Sequence, residues 1–348
     1  MLALSVLDQS PIRAGGTARQ ALAETVELAR ACERLGYRRY WLAEHHATEG
    51  FAGTAPEVLI AHVAAATSTI RVGSGGVMLS HYSPLKVAEQ FRLLETLHPG
   101  RIDLGIGRAP GADSRTTMAL ALGAMRPDID RFPQQLADLI GYLSDALPAD
   151  HPFAQVRAMP TPGTTPEVWL LGSSGQSAAY AAALGCPFSY AHFINDRGGA
   201  EVMRAYRDRF RPSRWSSVPR GSVGVFVICA DSDAEAQRLA ASRDLWRLRL
   251  DRGELWPIPT IEDSEAYPYS DIDRRRIAAH RQRMVIGAPE QAKAKLDALA
   301  QAYRVDELVI VTITYDFLAR RRSYELLAEA FGLPSSAGET EERHGAHG

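Results

Sequence analysis

"RIDLGIGRAPG", Arg101 to Gly111, is the stretch on which the fold turns. Its glycines resemble the G-x-G-x-x-G turn that holds a dinucleotide pyrophosphate, which would make this chain a nicotinamide-binding, doubly wound sheet. That turn needs its third glycine at the sixth position, where the following helix packs close to its strand. Here Pro110 stands at the sixth position and Gly111 comes one residue late. The helix-compatible run "ADSRTTMALALGAM" starts too far downstream, and no acidic residue at the end of a following strand is placed to take a ribose hydroxyl. "RIDLGIG" is therefore a strand that ends by presenting Arg108.

Outward from it, apolar strand runs alternate with helical patterns along the whole chain. The strands are "LALSVLD", "RRYWLAE", "IRVGSGGVML", "RIDLGIG", "EVWLLG", "PFSYAHF", "SVGVFVICA" and "DELVIVTITY". Helices are expected over Thr17–Leu35, Ala55–Ser68, Ser83–His98, Phe132–Leu147, from near Ser174, over Glu201–Phe210, after Asp231 as N-cap, and over Asp316–Phe331. Eight such units with apolar strands imply a parallel sheet covered by helices. At this length they predict a closed (β/α)8 TIM barrel with insertions, with an open doubly wound sheet as the alternative. One domain is expected over 1–333, with an insertion at Leu250–Met284. The polar end, 334–348, reads as a frayed tail.

The composition is that of a globular enzyme-sized chain: 348 residues, 46% hydrophobic, 23% charged, formal net charge -2. Near-neutral charge argues against a nucleic-acid footprint. No apolar run approaches the roughly 18 residues of a membrane span. Cys32, Cys186 and Cys229 are too widely spaced for a disulfide framework or a metal pair, and the N-terminus reads as a strand and not a signal peptide, so a cytoplasmic location is expected.

In such a barrel the chemistry lies where strands end. "WLAEHH" brings His45 and His46 there; adjacent residues of an extended chain face opposite sides, so one imidazole is a candidate general base and the pair is a poor chelate. Gly73, Gly75 and Gly76 inside an apolar strand mark either a bulge or close backbone approach to a ligand. Arg108 suits a phosphate or other anion, or else pairs with Asp103 or Glu44. "LLGSSGQS" offers Ser173, Ser174, Gly175 and Ser177 at a helix start, an anion site or a simple cap. His192 in "YAHF" is either buried structure or part of a site.

"WLAEHH", "RVGSGGVMLSHYSPLKVAEQF", "LHPGRIDLGIGRAPG" and "VDELVIVTITYD", in this order, resemble the bacterial luciferase-like flavin monooxygenases, nearest to their stand-alone, single-chain group. The similarity runs from the first strand to about Leu333. It implies reduced FMN and dioxygen reacting through a flavin 4a-peroxide. His45 matches the family's active-site histidine, and Gly75-Gly76 the non-proline cis peptide beneath the flavin, whose ring would lie over Gly75, Gly76, Val77 and Met78. Arg108 with Ser173, Ser174, Gly175 and Ser177 matches the phosphate site. Tyr82, His192, Trp246 and Trp256 would wall the substrate pocket, whose aromatic character suggests hydroxylation or epoxidation of an apolar, polycyclic natural product. The resemblance also implies a homodimer and a separate NAD(P)H-flavin reductase that supplies the reduced FMN.

Two departures count against light emission. Gly107 stands where the luciferase alpha chain has a reactive cysteine, and no stretch matches the long mobile loop of luciferase in sequence. Three other readings stay open: a deazaflavin-dependent dehydrogenase or reductase on the same barrel, a non-catalytic flavin-binding protein, and a metal-dependent hydrolase. The last would need His45 or His46, His81, Asp103 and His192 to converge.

Overall fold

A computed structural model describes residues 2–108, 113–120 and 129–334. Ten strands form one sheet: β1 (Ala3–Asp8), β2 (Arg39–Leu42), β3 (Arg71–Ser74), β4 (Val77–Met78), β5 (Ile102–Gly107), β6 (Glu167–Gly172), β7 (Phe188–Ala191), β8 (Gly221–Cys229), β9 (Met284–Gly287) and β10 (Glu307–Val311). All pairings between them are parallel, and the order β1-β2-β3-β5-β6-β7-β8-β10 returns to β1, closing an eight-stranded barrel. The strands are buried almost throughout, as apolar runs covered by helices on one side and barrel interior on the other must be.

Three expectations are corrected in detail. The third expected strand is two pieces, β3 and β4, separated at a cis peptide between Gly75 and Gly76. Both pieces pair with β5, and the backbones run so close that a Cβ at Gly76 would sit 2.7 Å from the Gly105 carbonyl oxygen and 2.7 Å from Leu171 Cδ1. Close approach, one of the two reasons given for these glycines, is therefore present. Second, the helix Asp233–Asp251 is capped by Ser232, which accepts from the Glu235 amide, while Asp231 pairs with Arg322 at 2.7 Å. Third, the barrel carries a strand that the sequence reading missed. β8 pairs β10 through Val223–Phe226 and then forks, its outer half pairing β9 through Phe226–Cys229.

Between the helix Asp233–Asp251 and β9 lie two further helices, Ile261–Glu265 and Asp271–Arg281. The segment before them is laced to the barrel mouth by backbone bonds: Ile258 N–H donates to Ile12 O at 2.8 Å and Glu49 N–H to Leu255 O at 2.9 Å. Of the helical run expected beyond Gly111, Ser114–Leu120 is helix and Asp113 precedes it; the rest of that run, and all of the expected tail except Pro334, lie outside the described residues.

The barrel floor is ionic. Arg39, wholly buried at the start of β2, donates to Glu307 at 2.6 Å, Asp103 at 2.8 Å and Glu167 at 3.3 Å, residues at the N-terminal ends of β10, β5 and β6. Its guanidinium lies 4.8 Å from the Trp169 ring, and Trp169 meets Trp41 edge-to-face at 5.4 Å. Trp41 donates its indole N–H to Asp103 at 2.9 Å. Burial raises the Glu167 pKa, but Arg39, Arg220 and Arg71 together hold it below the ordinary 4.5. This part of the stability is present above that pH and fades as pH falls through the depressed value.

Removing one partner leaves the others buried and uncompensated, which costs about 3–5 kcal/mol. Arg39→Met is expected to lower stability by that amount in urea unfolding at neutral pH. A loss under about 1 kcal/mol, the worth of a surface pair, would contradict this view of the floor.

Candidate active site

Above the tryptophan pair the barrel opens into two adjoining cavities. The inner one, about 300 Å³, has a floor of Leu7, Trp41 and Val309 and a side formed by Gly75, Gly76 and Met78. Gly107, Arg108, Ser173, Ser174 and Ser177 border it from the ends of β5 and β6. A Cβ at Gly107 would meet nothing nearer than the Val77 carbonyl oxygen at 3.8 Å, so the wall is open at this position. The outer chamber, about 420 Å³, shares Gln9, His45, Phe193 and Ile194 with the inner one. His45 thus stands on the border between them.

The helix Gly175–Leu184 begins at Ser174, whose side chain makes no capping bond. Simple capping by Ser174, one of the two readings of that stretch, is therefore absent. Ser174 and Ser177 place their hydroxyls 3.5 Å apart at the helix start. The free N–H groups and positive end of a helix attract an anion. Arg108 reaches the same place and donates to Gln176 of that helix. It pairs with neither Asp103, which belongs to the ionic floor, nor Glu44. A guanidinium, two hydroxyls and an uncapped helix terminus at one rim suit a phosphate.

Glu44 is the residue whose role the sequence reading missed. It is 2% exposed; one carboxylate oxygen accepts from the Met78 amide at 2.9 Å, the other from Tyr82 OH at 2.6 Å. His46 Nε2 lies 2.8 Å from that second oxygen. Glu44 therefore ties the end of β2 to the backbone just beyond the cis peptide. Its position before the histidine pair was the only available signal.

His45 packs against Phe51, ring centroids 4.6 Å apart, with Nε2 at 3.4 Å from Gln9 Nε2. Its Nδ1 is buried without a hydrogen-bond partner among the described residues. Burial first, then the neighbouring His46, push its pKa down to about 4. At neutral pH the imidazole is uncharged, able to donate one hydrogen bond and accept another.

The structure brings His45, Gly75, Gly76, Met78, Arg108, Ser173, Ser174 and Ser177 to one cavity and Trp246 to the other. Val77 and Gly175 back the site without lining it. Tyr82 is held by Glu44, and His192 bonds Tyr303 OH at 2.9 Å; neither lines either of these two cavities. Trp256 is 51% exposed and also lies outside both, because the segment carrying it turns the ring outward, towards Arg249. Among the described residues no group of His, Cys, Asp and Glu side chains could hold a metal. Asp103, required for the hydrolase constellation, is at the opposite end of the barrel.

Comparison with known proteins agrees with this geometry. The family model described as luciferase-like monooxygenase matches residues 2–306. A luciferase-like monooxygenase of Escherichia coli (strain K12) is 41% identical, covering 93% of this chain and 96% of its own. The N-acetyl-S-alkylcysteine monooxygenase of Bacillus subtilis (strain 168) is 39% identical, over 95% and 98%. The crystal structure of apo-MsnO8 superposes with a TM-score of 0.88 at 42% identity, covering 96% of this chain and all of that one. With a parallel eight-stranded barrel and matches along nearly its whole length, the chain belongs to the luciferase-like monooxygenase family and is an oxygen-incorporating oxidoreductase.

Proposed function

We propose that this monooxygenase binds reduced FMN in the inner cavity and oxygenates a substrate held in the outer chamber, by hydroxylation or epoxidation. The observation that carries the reading is the uncapped helix start at Ser174 beside Arg108, opening on a cavity whose side is the Gly75–Gly76 cis peptide. Arg108, Ser173, Ser174 and Ser177, with the N-terminus of the helix Gly175–Leu184, would hold the phosphate, and Gly75, Gly76, Val77 and Met78 would back the ring. When bound, reduced flavin supplies the activation of dioxygen, which no protein side chain provides.

The chain's own residues do the rest. Glu44 fixes the Met78 amide and so the shape of the wall behind the ring. Phe51 and Trp246, in edge contact at 5.3 Å, keep water from the border between the cavities. His45, neutral, can donate a hydrogen bond from one ring nitrogen and accept one at the other, and so orients a polar group at that border without carrying charge. The apolar walls suit a bulky apolar substrate body, including a polycyclic natural product. Reduced FMN would come from a separate NAD(P)H-dependent flavin reductase, with the monooxygenase a cytoplasmic homodimer.

Two measurements check this. In anaerobic fluorescence titrations, reduced FMN should bind more tightly than a reduced deazaflavin coenzyme, and Arg108→Ala should weaken FMN by roughly tenfold to hundredfold, the worth of a charge-assisted bond. Preference for the deazaflavin, or undiminished FMN affinity in the variant, would count against the reading. For His45, an NMR titration should show the ring neutral from pH 8 down to about 5, protonating only near 4. In that window the unfolded chain gains a proton below 6.5 that the native site refuses, so this group lowers stability as pH falls from 6.5 towards 4. Protonation of the folded ring near 6.5 would remove the neutral-imidazole role.

A further inference from the structure

The outer chamber has two kinds of wall. Phe51, Phe193, Phe226, Trp246, Leu250 and Leu255 make it apolar, while Arg243, Arg247, Arg283 and His280 bring nitrogen donors to it. The pairing of these cations is uneven. Arg247 donates to Asp251 at 2.6 Å, and His280 Nε2 bonds the same carboxylate at 2.7 Å. Asp244, next to Arg243 on the helix Asp233–Asp251, gives its Oδ2 to Arg281 at 2.6 Å, and its Oδ1, buried without a hydrogen-bond partner among the described residues, makes no bond to Arg243. Arg283 donates to the Ile194 carbonyl at 2.7 Å and to His280 Nδ1 at 2.7 Å, with no carboxylate among its partners in the described residues.

Arg243 is left with least. It is 3% exposed and lies over the Phe226 ring, 4.5 Å from its centroid. Its Nε and Nη1 are buried without a hydrogen-bond partner among the described residues. Burial lowers its pKa to about 10, with Arg247 and Arg283 adding to the fall and Asp244 opposing it, so it stays charged at neutral pH. The acidic residue lining the chamber, Asp113, already accepts from the Arg115 and Thr116 amides and the Thr116 hydroxyl.

A buried guanidinium whose N–H groups meet no acceptor is costly, and its planar donor array matches a carboxylate. We propose that this end of the chamber is an acid-binding subsite. Arg243, with Arg283 near it, takes a carboxylate of the substrate, whose apolar body then lies along Phe51 and Trp246 with its other end towards His45. The substrate class is thus an organic acid with a bulky apolar body, and a wholly neutral polycycle would leave the guanidinium unpaired. The subsite rests on the flavin-monooxygenase reading only in that the bound acid is the molecule oxygenated; its affinity for the acid does not depend on flavin.

The test is calorimetric titration of the full chain, with and without FMN, using phenylbutyrate, naphthylacetate and N-acetylphenylalanine, each beside its uncharged amide. The parent should bind at least one acid roughly tenfold to hundredfold more tightly than its amide. In Arg243→Met that ratio should fall to about one, the loss of a single charge-assisted contact, while FMN affinity is retained. Arg283→Met carries the same test if Arg243→Met does not fold. No acid preference in the parent, including no binding of any acid, overturns the subsite, as does an undiminished ratio in the folded variants. Failure of the flavin reading would show separately, as acid preference in a chain without FMN affinity.

Discussion

The Arg39 guanidinium sets the level at which the barrel becomes a site. Charges inside a protein must be paired to be tolerated, and the pairing here draws on the first turns of four strands at once: β2, β5, β6 and β10. Strand register around that half of the barrel follows, because Asp103, Glu167 and Glu307 must reach one cation. Trp169 then stacks on the guanidinium and Trp41 is held by Asp103, so the ionic layer carries an aromatic layer. Everything above the tryptophans is free to be a cavity, and everything below is closed.

The second constraint is the narrowness between β3–β4 and β5. With glycine at positions 73, 75, 76 and 105, backbone replaces side chain along one wall, and the wall is flat where a ring can lie against it. Flat backbone is also easily displaced. Glu44 opposes this by gripping the Met78 amide from β2, and its own second oxygen is held by Tyr82 and His46. Tyr82 thus acts on the site through Glu44, while His46 both bonds Glu44 and lines the outer chamber. A binding surface supported in this way by packed strands is more sharply placed than one built on loops.

Much of this was legible in the sequence because strands buried on both faces are continuous apolar runs, and because the barrel rule assigns chemistry to their C-terminal ends. Arg108, His45 and the serines of "LLGSSGQS" follow from that rule. The four-residue strand "MVIG" begins at the last residue of the expected insertion, and so short a run gives no period to detect. Asp231 and Ser232 are both good caps, and only backbone geometry chose the serine. The outer chamber was hidden for a different reason. Arg243, Trp246, Arg247 and Leu250 recur at helical spacing and so share one face, but arginines on an Arg-rich helix read as solvent-facing. Trp246 and Trp256 are both expected at the pocket, and no residue pattern reveals that the segment carrying Trp256 turns its ring outward.

Two proposed anion-binding places share one mouth: Arg108 with the helix start for a cofactor phosphate, and Arg243 with Arg283 for an acidic substrate. A crystal structure of the complex with FMN separates them most directly. The phosphate is expected within hydrogen-bond distance of Arg108 and the N-terminus of the helix Gly175–Leu184, with the ring against Gly75–Met78. A phosphate seated instead between Arg243 and Arg283, or a ring lying away from the Gly75–Gly76 peptide, would contradict the central assignment.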